Sequence, residues 1–95
     1  MSAHARYGVP NVAPAVGMPA TVCIGSDRYP ATVSAVLQFG GRRRLSILVQ
    51  IDGDATGGCE RYVASREQQG VYDAADGCGR RAYVGRADSY RDPHA

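Results

Sequence analysis

The sequence predicts an all-β fold, and three observations carry that prediction. Between Val16 and Gly85, short runs rich in β-branched residues alternate with turns built from Gly, Ser and Asp. The run at 44–51 (RLSILVQI) puts Leu45, Ile47, Val49 and Ile51 on one face at period two, with Ser46, Leu48 and Gln50 on the other. No segment carries a helical period of apolar residues.

The chain begins with a lead-in, MSAHARYGVPNVAPA, read as an extended arm over 1–15; Pro10 and Pro14 bias it away from helix. The first strand is expected at 20–25 (ATVCIG), with Val22 and Ile24 on one face and Thr21 and Cys23 on the other. Residues 26–30 (SDRYP) read as a connection, because Ser26 and Asp27 bond local amides readily. The second strand is expected at 31–38 (ATVSAVLQ), with Val33 and Ala35 opposite Thr32, Ser34 and Val36. Gly40-Gly41 permits the reversal into the third strand at 44–51. Asp52 to Gly58 is a loop. A fourth strand follows at 59–65, with Glu60, Tyr62 and Ala64 opposite Arg61 and Val63. Residues 66–79 read as loop around a short strand at Val71-Tyr72, and 80–85 (RRAYVG) as a last strand. The polar tail RADSYRDPHA is expected to be exposed.

Strands of this length and spacing close most simply into a small antiparallel barrel of the SH3-like or Tudor-like kind, with an OB-like barrel as the alternative. The expected organisation is an arm over 1–15, a barrel over 16–86 and a tail over 87–95.

With 95 residues the chain makes one domain with a modest core. No apolar run is long enough for a membrane helix, and the first residues lack a secretory pattern. Its net charge is +2, weak for a dedicated nucleic-acid binder, and all eleven basic residues are arginine. A guanidinium grips carboxylates and phosphates bidentately; arginine-rich composition also follows from GC-rich coding. Three cysteines, Cys23, Cys59 and Cys78, form no close pair, so a Cys59–Cys78 disulfide stays open and a reduced, cytosolic setting is the simpler expectation.

The chemistry-bearing motifs are sparse. Asp52-Gly53-Asp54-Ala55-Thr56-Gly57 resembles the opening of a calcium loop, but the position of the closing bidentate Glu holds Val63, so the run reads as a turn. Cys23, Cys59, Cys78 and His94 lack the close pairing of a zinc site. His4 and His94 lie at the termini and are poor bases for a nucleophilic site. No catalytic residue, metal or cofactor is therefore expected. Arg42, Arg43 and Arg44 sit at the tip of the second hairpin and are the leading candidates to grip phosphate or an acidic protein face; Arg80-Arg81 would add to them if both turns share an end. Arg28 and Tyr29 are the other candidate contacts, Tyr29 as a cation-binding aromatic. Phe39, Tyr62 and Tyr83 are the further aromatics from which a cage could be drawn.

Gly17-Met18-Pro19-Ala20-Thr21, Ser26-Asp27-Arg28 and Thr32-Val33 together resemble a G-x-x-A-T, S-D-R, T-V pattern in small proteins encoded by bacteriophages and prophages. The ending Arg86-Ala87-Asp88-Ser89-Tyr90-Arg91-Asp92-Pro93 is similar to their R-x-D-x-Y-x-D-P close. The segment from Asp52 to Gly79 departs from that pattern. The resemblance implies a phage-related origin and a small β fold, and it brings no catalytic residue.

The expectation is thus a non-enzymatic, phage-type accessory protein in the cytoplasm of a bacterial host. It would bind a host protein or nucleoprotein complex, as an anti-defence factor does, and could act as a homo-oligomer or within an assembly. The alternatives are a virion component, whose arm clips a neighbouring subunit, and a small nucleic-acid-binding module.

Overall fold

A computed structural model describes residues 12–37, 45–53, 58–91 and 93. Six strands follow one another: β1 (Pro19–Ile24), β2 (Asp27–Leu37), β3 (Ser46–Ile51), β4 (Glu60–Ala64), β5 (Val71–Ala74) and β6 (Arg81–Val84). Each pairs antiparallel with the next, and β6 pairs antiparallel with β1, so the sheet closes into a barrel in up-and-down order. The predicted small antiparallel barrel is therefore present, and among the described residues there is no helix. The short strand expected around Val71-Tyr72 is a full member of the barrel wall.

Two readings of the second strand are corrected. Residues 27–30 are not a connection: β2 starts at Asp27, directly opposite Ile24, so the turn is Gly25-Ser26 alone. Gly25 has φ +60 and Ser26 a negative φ, the pattern of a two-residue hairpin with glycine first, whose twist matches that of the strands. Tyr29 consequently lies within β2 rather than before it. The second correction concerns faces. The β2–β3 register slips between Val33 and Ala35, so Ser34 is an extra residue in a bulge. Val33 faces the core, but beyond the bulge the inward residue is Val36, not Ala35.

Inside the barrel the remaining alternation holds. Val22, Val33, Ile47, Val49, Tyr62, Tyr72 and Val84 are its large buried side chains, with Leu45, Ile51 and Ala64 packed against them. Alanines at 20, 31, 74 and 82 fill the remaining inward positions. Small residues there suit a barrel this narrow, whose interior has room for side chains and nothing else.

Up-and-down order also sorts the connections. The β1–β2, β3–β4 and β5–β6 turns share one end of the barrel. The end of β2 at Leu37 and the start of β3 at Ser46 lie at the other. Arg80 and Arg81, at the β5–β6 turn, therefore do not join the end at which β2 passes into β3. Arg42, Arg43, Arg44 and Phe39 themselves lie outside the described residues.

Candidate interaction surface

The outside of the sheet carries two rows of cross-strand neighbours, each set by register. One row runs Arg28 (β2), Cys23 (β1), Arg81 (β6), Asp73 (β5). The next runs Pro30, Thr21, Tyr83, Val71 on the same four strands. The second row is outward-facing by alternation yet enclosed from Thr21 to Val71: Thr21 is 0% and Tyr83 1% exposed. A buried outer row needs a cover, and the chain after β6 helps supply it.

That segment, Arg86 to Tyr90, works as a strap. The Thr21 hydroxyl donates to the Arg86 carbonyl at 2.7 Å and accepts from the Asp88 amide at 2.8 Å. Two residues on, Tyr90 pairs antiparallel with Arg28, amide to carbonyl in both directions at 2.8 and 2.9 Å. It can do so because β3 starts pairing with β2 only at Ala31, so the Arg28 backbone faces an otherwise unpaired edge. The tail faces solvent along much of its length, as its composition implies, but its backbone is tied to β1 and β2.

Under the strap the side chains converge on Tyr83. Its hydroxyl donates to Asp88 Oδ2 in a short hydrogen bond, and Arg28 Nη1 donates to that hydroxyl at 3.4 Å. The Arg86 guanidinium lies 5.6 Å and that of Arg28 6.0 Å from the Tyr83 ring centre. Arg86 Nε also donates to Asp88 Oδ2 at 2.9 Å. Beyond the strap, Arg91 sits 5.6 Å from the Tyr29 ring, and the Tyr29 hydroxyl donates to Asp27 at 3.3 Å. A guanidinium over an aromatic face contributes about 0.5–1 kcal/mol at an exposed site. Its larger consequence is that long side chains are held in place before any partner arrives. An open groove lined by Ser26, Arg28, Asp88, Ser89 and Tyr90 adjoins this cluster. A second groove, lined by Arg66, Glu67, Asp73, Arg80 and Arg81, continues the surface toward β5.

Burial pushes the Asp88 carboxyl up, but hydrogen bonds from Tyr83 and Arg86 outweigh it and leave it below its ordinary value. Tyr83 moves the other way, raised by burial and by its bond to Asp88. A carboxylate held down by folding stabilises the folded state above its unfolded value, near 4, and that contribution fades as pH falls through the lower folded value. Acid titration of unfolding midpoints will therefore show the Asp88→Asn variant losing less stability below about pH 4 than the parent does. Equal acid sensitivity of the two would mean that the strap carboxylate plays no such part.

Cys23 sits between Arg28 and Arg81, yet burial raises its thiol against the pull of both guanidiniums. A protonated, half-buried thiol is a weak nucleophile. Cys59 and Cys78 are free thiols rather than a disulfide, and Cys59 Sγ donates to Ser34 Oγ at 3.2 Å. Among the described residues no three His, Cys, Asp or Glu side chains cluster as a metal site would.

Of the residues singled out from sequence, Arg28 and Tyr29 both contribute to this surface. Tyr83 contributes as the pillar under the strap, whereas Tyr62 lies in the core, so these aromatics do not converge on one cage. Thr21, Arg86, Asp88 and Tyr90 were not anticipated. A buried threonine on an outward register position is the signal that something crosses it, but alternation alone does not say what. No protein-family model, curated protein or solved structure matches the chain.

Proposed function

We propose that the protein acts by binding, as a non-enzymatic accessory protein of phage type, and that the strap-bearing face is its contact surface. The observation that carries this reading is the set of arginines already clamped on tyrosine rings: Arg28 and Arg86 on Tyr83, and Arg91 on Tyr29. Arginine and tyrosine dominate the energetics of protein interfaces, and side chains ordered beforehand lose less entropy on association. The carboxylates of the face are matched to arginines, Asp73 with Arg81 and Asp88 with Arg86, so the surface is mixed in sign rather than a basic stripe. That pattern fits a protein face carrying its own carboxylates, whether alone or within a nucleoprotein complex, in the host cytoplasm. Arg42, Arg43 and Arg44, outside the described residues, remain candidate contacts.

The test is affinity capture of the tagged protein from infected host cells, with nuclease treatment and mass spectrometry. A host complex that survives nuclease and is lost with the Arg28→Ala/Arg86→Ala double variant is the expected result. The purified variant's unfolding curve checks that the barrel is intact. Recovery of capsid or tail proteins would replace this reading with the virion component. Signal lost on nuclease treatment would replace it with nucleic-acid binding. Retention by the double variant but loss by an Arg42/Arg43/Arg44→Ala triple variant would move the contact from the strap face to that arginine run.

A further inference from the structure

Closing a sheet into a barrel removes its outer edges. The strap restores one. Its backbone alternates as a strand does: the Arg86 carbonyl, the Asp88 amide and both polar groups of Tyr90 turn toward the barrel, where Thr21 and Arg28 meet them. The same alternation turns the amides and carbonyls of Ala87, Ser89 and Arg91 the other way. These three residues are exposed, and among the described residues nothing bonds their backbone. At Tyr90 the strap is already the neighbour of β2 in the sheet, so its far side is where the next strand would pair. Each of the three outward positions offers such a strand one donor and one acceptor.

The charges beside this edge are arginines on both faces of the sheet. Arg28 and Tyr29 are successive residues of β2 and point to opposite faces. Arg28 lies with Arg86 at the Tyr83 ring on one face, and Tyr29 carries Arg91 on the other. The carboxylates close by are engaged within the chain: Asp88 by Tyr83 and Arg86, Asp27 by the Tyr29 hydroxyl. We infer that the strap is a docking edge, and that the partner enters it as an extended, acidic segment added as a further β-strand. Backbone pairing with Ala87, Ser89 and Arg91 supplies the affinity, and the flanking guanidiniums select carboxylate side chains. The inference rests on the reading of the strap face as the contact surface and gives that contact its form.

The probe is the peptide acetyl-Thr-Glu-Val-Glu-Thr-amide, titrated into the isotope-labelled full chain and followed by amide chemical shifts. Saturable shifts are expected at Ala87, Ser89 and Arg91. N-methylation of the peptide's alternate amides removes donors without removing charge, and is expected to weaken binding at least about tenfold. Replacing both glutamates by glutamine should weaken it about three- to tenfold. Ser89→Pro deletes one outward donor and none of the bonds that hold the strap, so binding should fall about tenfold while the unfolding midpoint stays put. If that variant unfolds earlier, the methylated peptide still decides, since it alters only the ligand. Equal binding of the methylated and parent peptides, or no saturable shift at these amides, would overturn strand addition. With host capture still dependent on Arg28 and Arg86, such a result would leave the contact surface standing; capture indifferent to both arginines would remove the surface as well. Concentration-dependent shifts at the same amides without peptide would replace the acidic partner with a second copy of the chain.

Discussion

Truncation after Gly85 is expected to destabilise the barrel by about 4 kcal/mol, although it removes no strand. The estimate rests on four hydrogen bonds that the strap makes to the barrel: two with the Thr21 hydroxyl and two with the Arg28 backbone. Each contributes about 1 kcal/mol net, and the loss of cover over Thr21 and Tyr83 adds to the same side. The Thr21→Val variant isolates part of the effect. It preserves the shape of the side chain and removes the hydroxyl that serves both the Arg86 carbonyl and the Asp88 amide, so it should cost about 2 kcal/mol. Urea unfolding of the parent and both variants checks the order. An unchanged midpoint for the truncated chain would mean that the strap rests on the barrel without stabilising it.

Ile47→Ala is expected to be as damaging, at about 2–5 kcal/mol, through a different mechanism. Ile47 is fully enclosed, paired across the sheet with Val36 on one side and Tyr62 on the other. Removing its outer carbons loses their burial and leaves a void that flanking strands can fill only by moving hydrogen-bonded backbone. A barrel of this size has a total stability of about 5–15 kcal/mol, so this one change consumes a large share of it. Thermal unfolding followed by circular dichroism should show a clear drop in midpoint. Leu48→Ala, on the other face of the same strand and only partly buried, should cost much less. Equal losses at the two positions would contradict the assignment of faces on β3.

The contrast between these two predictions also separates what was readable from what was not. The Ile47 argument could be made from the sequence, because Leu45, Ile47, Val49 and Ile51 alternate without interruption and the structure keeps that alternation. Tyr62 and Ala64 on β4 follow the same logic. On β2 the logic fails at one point, Ser34, where the bulge inserts a residue and turns Val36 inward in place of Ala35. Nothing in ATVSAVLQ announces a bulge; it exists because β2 must bend to pair with β1 along one half and β3 along the other. The hairpin at Gly25-Ser26 was legible in principle as a glycine-first turn, but the local bonding capacity of Ser26 and Asp27 argued for a longer connection. Pro30 is accommodated at a register position opposite Thr21, where its carbonyl accepts the Asp52 amide and no donor is asked of it.

The candidate surface was less legible than the core. Arg28 and Tyr29 could be named from residue type, but their setting comes from the other end of the chain. The Thr21 hydroxyl meets partners 65 and 67 residues away, and Arg28 meets Tyr83 55 residues away. A tail of mixed polar composition has no periodicity to declare where it will lie.

By itself, then, the sequence determined the class of fold, the inward faces of β3 and β4 and the weak charge, because period-two alternation and composition are local and survive any arrangement of the strands. Only the tertiary structure decided that the sheet closes β6 onto β1, that the tail becomes a strap, and that the arginines gather on Tyr83. Those outcomes depend on register between distant strands, and register arises from closure and packing of the whole barrel rather than from any one segment.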